Sequence, residues 1–147
     1  MQNSLARALT RTPKTEHITP EPKSLHWLKI EERIHYKIIS LTYDYLHTSQ
    51  PHYLRKLINI KPAGYTRSSN HLTLLCPFTT SSLKIFNCSY NRTTSILWNN
   101  LPKSMRTFSN TSPNSATSQC SSLPLSLSKT RFRSHLKTYL FGISYPP

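Results

Sequence analysis

The strongest hydrophobic periodicity in the chain lies in residues 29–47, KIEERIHYKIISLTYDYLH. Ile30, Ile34, Ile38, Leu41 and Tyr45 fall at i, i+4, i+8, i+11 and i+15. That spacing is one stripe of a 3.6-residue helix. Ile39 and Leu46 widen the stripe, Glu31 and Glu32 suit the positive end of the helix dipole, and His47 suits the negative end. The stripe is expected to form hydrophobic core. The rest of the chain offers it little to pack on. Ala, Val, Ile, Leu, Met, Phe, Trp, Cys and Gly supply 47 of 147 residues. A globular domain has roughly 45–50% of these, so any core must be small. The length suits one domain.

Weaker helical patterns flank this segment. Residues 2–11 carry Leu5, Ala8 and Leu9, and Thr12-Pro13 stops them, because the residue before proline avoids the α region. Thr19-Pro20 reads as an N-cap with proline at N1, opening a helical turn over 20–27. Residues 51–60 read as a helix with Pro51 near N1, broken by Lys61-Pro62-Ala63-Gly64. Residues 65–90 suggest a short strand pair or irregular structure. Residues 91–101 suggest a helix around Ile96, Leu97 and Trp98, ended at Leu101-Pro102. Residues 107–128 are so rich in Ser, Thr, Asn, Pro and Gln that burial cannot offset chain entropy, which predicts a disordered linker. A basic amphipathic helix follows at 129–141, with Phe132, Leu136, Tyr139 and Leu140 on one side, Ser128 as N-cap and Gly142 at C′. The expected fold class is mainly α: a small irregular helical domain, a Ser/Thr-rich disordered linker and a loosely attached C-terminal amphipathic helix. The expected divisions are 1–61, 62–106, 107–128 and 129–147.

Charge is distributed unevenly. The 19 Lys and Arg face five carboxylates, Glu16, Glu21, Glu31, Glu32 and Asp44, and none follows Asp44. The net charge is +2 up to Asp44 and +12 after it. A stretch of 103 residues without a carboxylate excludes an acid/base carboxylate pair or an Asp-based Mg²⁺ site there. Such a basic balance points to phosphates or an anionic surface. A second reading stands beside it. Ala, Val, Gly, Asp and Glu together number 11, with no valine at all. These five share no physical property, but their codons all begin with G. A G-poor coding strand would thin them together and leave a basic chain without selection for a partner.

Several blocks, in this order, carry a resemblance. They are QNSLAR (2–7), TRTPK (10–14), HITP (17–20), SLHWL (24–28), ERIHYKI with LTY (32–43), P-x-Y-L (51–54), RSS (67–69), LWNNLP (97–102) and F-x-S-x-L-K-T-x-L-F (132–141). With them the chain resembles the C-terminal tail of the reverse transcriptase of jockey and chicken-repeat-type non-LTR retrotransposons. The resemblance implies a parent function of RNA-templated DNA synthesis during target-primed insertion, with this tail contacting template RNA or target DNA. It also implies that the polymerase carboxylates lie upstream, beyond the family's counterpart of the QNSLAR helix, and nothing here matches them. Two-metal nucleotidyl transfer needs clustered carboxylates, and Asp44 is the one aspartate. The endonuclease carboxylates are likewise absent. The fragment is therefore expected to be catalytically inert. Two departures from the family pattern stand out: Tyr90–Ser95 replaces a small, Ala-rich segment, and 107–128 is longer and richer in serine. Met1 stands where the family has an aliphatic residue inside a helix, as if a reading frame had opened within an element remnant.

Other chemistries find little support. Seven histidines and three cysteines (Cys76, Cys88, Cys120) lack the tight pairs of a zinc knuckle. Gly64 and Gly142 are the only glycines, so no phosphate-cradling loop exists. No catalytic residue, metal, cofactor or small-molecule substrate is expected. An odd cysteine number without paired spacing argues for reduced thiols and an intracellular place, nucleus or cytoplasm. The acid-free segment Met1–Thr15 leaves a mitochondrial address as the alternative. Three glycosylation triplets, at Asn87, Asn91 and Asn110, are expected by chance among 38 Ser and Thr. No apolar run reaches the length of a membrane span. The expected partner is RNA or DNA, held at phosphates by Arg7, Arg11, Arg55, Lys56, Arg67, Arg131, Arg133 and Lys137. Trp27, Tyr53 and Trp98 are candidates for base stacking, with core packing the competing role for the tryptophans. The alternatives are an amphipathic peptide that binds an anionic membrane surface or a protein through 129–141, and a translated transposon remnant without function.

Overall fold

The computed structural model describes residues 2–18, 20–61, 71–78, 89–107 and 125–146. Outside them lie Thr19, the Pro62-Ala63-Gly64 breaker, Arg67, Cys88, Cys120, most of 65–90 and all but the ends of the expected linker. The described residues are mainly helical, as the patterning predicts. Helices α1 (Gln2–Thr10), α2 (Pro20–Ser24), α3 (Ile30–Thr48), α4 (Tyr90–Asn99) and α5 (Lys129–Ser144) follow in order, with 3-10 turns at His52–Lys56 and Lys103–Met105. The chain divides into unit 1, Met1–Tyr36 with Ser134–Pro147, and unit 2, Lys37–Arg133. These boundaries fall inside α3 and α5.

Unit 1 closes α2 with a backbone cap and ties α1 to the segment after that cap with a side-chain amide. Trp27 N–H donates to Pro22 O at 2.8 Å, and His26 N–H donates to Lys23 O at 3.1 Å. This pair of bonds is a Schellman cap, with His26 in the left-handed region at φ 53°. The His26 ring stacks on Phe141, with centroids 5.5 Å apart. Gln2 Nε2 donates to Leu28 O at 3.0 Å. Ala6, Leu28, Leu136, Leu140 and Ser144 are buried. The Lys29 ammonium sits 5.3 Å from the centre of the Tyr145 ring.

Unit 2 is built on three stacked rings. Phe132 of α5 lies 3.9 Å from Tyr43 of α3, nearly parallel, and 6.1 Å from Trp98 of α4. All three are essentially inaccessible to solvent. The Tyr43 hydroxyl donates to Leu127 O just before α5. Offset aromatic stacking contributes about 0.5–1.5 kcal/mol per pair beyond area burial. The expectation of a loosely attached α5 is therefore corrected: its Phe132 is the centre of a core, and Leu136 and Leu140 are buried as well.

Helix α4 then grips an extended segment with side chains. Trp98 Nε1–H donates to Leu72 O at 3.1 Å. The Asn99 amide brackets Leu74, accepting from its N–H at 3.0 Å and donating to its C=O at 2.9 Å. The Ser95 hydroxyl lies 3.0 Å from Leu75 O. On the other side Lys61 N–H donates to Thr73 O and Leu75 N–H to Asn59 O, around an antiparallel bridge between Ile60 and Leu74. A second bridge joins His71 to Thr107. These pairings overturn the helix expected at 51–60. The chain makes one 3-10 turn and then extends, because residues 59–61 have a partner strand to satisfy their backbone.

Three further expectations are corrected. The stripe of α3 is the buried face only along its widened edge, at Ile39 and Leu46, with Ile38, Leu41 and Tyr45 half-buried. Ile30 and Ile34 are 62% and 53% exposed, while Ile39, Thr42, Tyr43 and Leu46 are buried. The aromatic stack sets the rotation of the helix, so that Tyr43 faces inward with Ile39 and Leu46 while the first two isoleucines of the stripe face out. Helix α1 likewise buries Ala6 and leaves Leu5 and Leu9 exposed. Gly142 does not cap α5, which runs through it to Ser144. The left-handed positions after α1, in the α2 cap and after α3 belong instead to Arg11, His26 and Ser49. A residue with a Cβ pays roughly 1–2 kcal/mol there.

Ser49→Gly is accordingly expected to stabilise the protein by about 1 kcal/mol, read as a rise in the urea midpoint at unchanged m-value. An unchanged or lower midpoint would contradict the cap. Burial raises the Tyr43 phenol above its ordinary value, with Asp44 adding to the effect, and burial likewise raises Tyr90. Both phenols stay neutral in the folded state to higher pH than in the unfolded chain. Stability is then fully present below the unfolded value of about 10 and is lost as pH rises through the higher folded values. Urea midpoints measured from neutral to strongly alkaline pH check the sign.

Candidate nucleic-acid interface

A 3-10 helix has three residues per turn, so side chains at i and i+3 eclipse. Residues 52–57 therefore present three faces. Leu54 is buried and Leu57 half-buried, and these two anchor the turn. Tyr53 and Lys56 share a second face and His52 and Arg55 a third, all four exposed. The Gln50 amide donates to His52 Nε2 at 3.1 Å. A cis peptide joins Gln50 to Pro51 at the entry. The arrangement holds an aromatic ring, 66% exposed, on the same turn as two exposed cations, with the turn pinned from beneath by Leu54.

The other candidate cations meet different fates. The Arg7 guanidinium closes the bend after α1, donating to Pro13 O and, at 2.8 Å, to Glu16 O. Arg133 donates to Asp44 Oδ2 at 2.8 Å, and Lys129 reaches the same oxygen at 3.1 Å. Arg11, Arg131 and Lys137 are exposed, and Arg67 lies outside the described residues. Arg7, Arg11 and Lys137 belong to unit 1, whereas Arg55, Lys56, Arg131 and Arg133 belong to unit 2. Of the three aromatic candidates, Trp98 is core and Trp27 is half-buried, which leaves Tyr53 as the accessible ring.

Two roles escape sequence inspection. Asp44 is the first: α5 begins with Lys129 and has no acid in its first turn, so its own charges oppose the helix dipole. Asp44 supplies the missing negative charge from α3. Arg106 is the second, with its side chain buried, its Nε unpartnered and its guanidinium pKa lowered by burial. No sequence signal marks it, because Lys103 and Arg106 are two cations three residues apart with similar mixed neighbours. Among the described residues no group of three His, Cys, Asp or Glu could hold a metal ion, and no helix is long and apolar enough to cross a membrane.

No family model matches the chain, and no curated protein or solved structure does either.

Asp44→Asn should lower stability by about 1 kcal/mol, the scale of partly exposed ion pairs. The loss should be largest near 10 mM salt and mostly gone near 1 M, where the screening length falls from about 30 to about 3 Å. Denaturation midpoints of both proteins at the two salt concentrations test this. A difference that ignores salt would mean that Asp44 acts through packing.

Proposed function

We propose that this chain is a C-terminal tail fragment of a non-LTR retrotransposon reverse transcriptase, inert as a polymerase by itself, that binds RNA or DNA through phosphate contacts without sequence readout. The ordered blocks from QNSLAR to LKT-x-LF support the origin. The observation that carries the binding is electrostatic. Unit 2 holds twelve Lys and Arg against one carboxylate, Asp44, and Asp44 is already engaged by Lys129 and Arg133. Exposed cations such as Arg55, Lys56 and Arg131 have no acid left within the unit to pair with. Phosphate is the counter-charge that fits them. The membrane-surface alternative loses support, because the apolar residues that 129–141 would insert, Phe132, Leu136 and Leu140, are buried.

Binding that neutralises about 6–10 phosphates should weaken about 10³–10⁵-fold between about 50 and 200 mM salt. Fluorescence anisotropy with labelled RNA and DNA measures it, and an isotherm flat across that range rejects the reading. Extension of a primed RNA template with Mg²⁺ should give no product. Any extension would overturn the claim of inertness.

A further inference from the structure

Within the nucleic-acid reading above, on which this inference rests, we propose that the His52–Lys56 turn is a single-strand site, with Tyr53 stacking on an unpaired base and Lys56 and Arg55 holding the flanking phosphates. Three observations carry it. Tyr53 is an aromatic ring left 66% exposed in a unit that buries Tyr43, Phe132 and Trp98 almost completely. Its eclipsed neighbour on the 3-10 turn is Lys56, about 6 Å along the axis at roughly 2 Å per residue, so the ring and the lysine leave the turn on one face within about the span of one nucleotide. The turn is held from beneath by buried Leu54, whose carbonyl accepts from both Leu57 N–H and Ile58 N–H at 2.9 Å, so the ring is presented on a fixed base.

These features select a single strand over a duplex. In a duplex every base face is covered by its neighbours, and a lone protruding ring has nothing to stack on. An unpaired base offers its π-face to any aromatic ring, which makes such stacking tolerant of sequence. The turn has no free amide to read adenine edges in a bidentate way, since Gln50 is engaged with His52 and no Asn lies between Pro51 and Ile58, while Arg55 and Lys56 serve the phosphates. Lys56 on the same face and Arg55 on the adjacent one add phosphate attraction. The ligand class is thus single-stranded RNA or DNA, recognised by a base face and its two adjacent phosphates.

The test uses the full chain and labelled single strands of about 10 nucleotides, oligouridine and oligothymidine, beside a duplex of equal length. Both single strands should bind more tightly than the duplex. Tyr53→Ala should weaken single-strand binding about 5- to 150-fold, the equivalent of about 1–3 kcal/mol per stacked base, and leave the duplex affinity unchanged. Tyr53→Phe should retain wild-type binding, since stacking needs the ring and not the hydroxyl. Lys56→Gln should reduce the salt slope by about 0.7 for a single strand while keeping the single-strand preference. Circular dichroism of each variant checks folding, which an exposed side chain should not disturb. Salt-dependent binding that is indifferent to Tyr53→Ala, or that favours the duplex, overturns this site and leaves the broader phosphate reading standing. No salt-dependent binding to any of the three probes overturns both.

Discussion

The packing of unit 2 depends on Phe132. Its ring is pressed between Tyr43 and Trp98, so one side chain joins α5 to α3 and α4. The electrostatics follow from the same contact. Once Phe132 is seated, Lys129 and Arg133 flank it at one turn's spacing, and both meet Asp44, the residue next to Tyr43. Apolar burial and the last carboxylate of the chain thus act at one place. The contribution of the ion pairs is modest. Asp44 Oδ1 is buried without a partner, and that desolvation offsets part of the attraction. Their larger effect is on geometry: a carboxylate with two cations to satisfy fixes which turn of α5 faces α3.

The sequence was legible where periodicity alone decides. The existence of α3 follows from its repeating apolar residues, and α5 from Phe132, Leu136 and Leu140. The face that α3 buries did not follow. A stripe of isoleucines outweighs Tyr43 on any hydropathy count, yet Tyr43 has a ring to stack on and a carbonyl, Leu127 O, to receive its hydroxyl proton. Such partners lie more than eighty residues away in sequence and leave no local trace. The helix ends were obscured for a different reason. Glycine marks left-handed caps in most chains, but this chain has two glycines, and Arg11, His26 and Ser49 take the positive φ instead. The segment 51–60 reads as a helix because its apolar spacing suits one, while its backbone partner at 73–75 is invisible to local pattern.

The candidate site was legible as a set of residue types and not as a set of accessible groups. Tyr53, Arg55 and Lys56 are exposed as a binding role requires. Arg7 and Arg133 are held by the fold, and Trp98 is part of the core. Charge counting cannot separate these cases, because a guanidinium that closes a bend through two carbonyls and one that waits for a phosphate have identical sequence signatures. The units also differ in a way that total charge hides. Unit 1 has seven Lys and Arg with four carboxylates, whereas unit 2 has twelve with one.

The grip of α4 on residues 72–75 has a consequence for solubility. A short apolar strand with bare N–H and C=O groups along one side is a template on which a second chain can add itself. Here residues 59–61 cover one side, and Trp98, Asn99 and Ser95 occupy the carbonyls and the amide that would remain. The tryptophan and the asparagine of the LWNN block thereby do the work of a neighbouring strand without presenting a new edge. A helix that answers a strand with side chains adds no strand edge at residues 73–75, next to which backbone pairing continues only as the His71–Thr107 bridge among the described residues, and so protects a strongly basic, thinly cored chain from self-association through its own backbone.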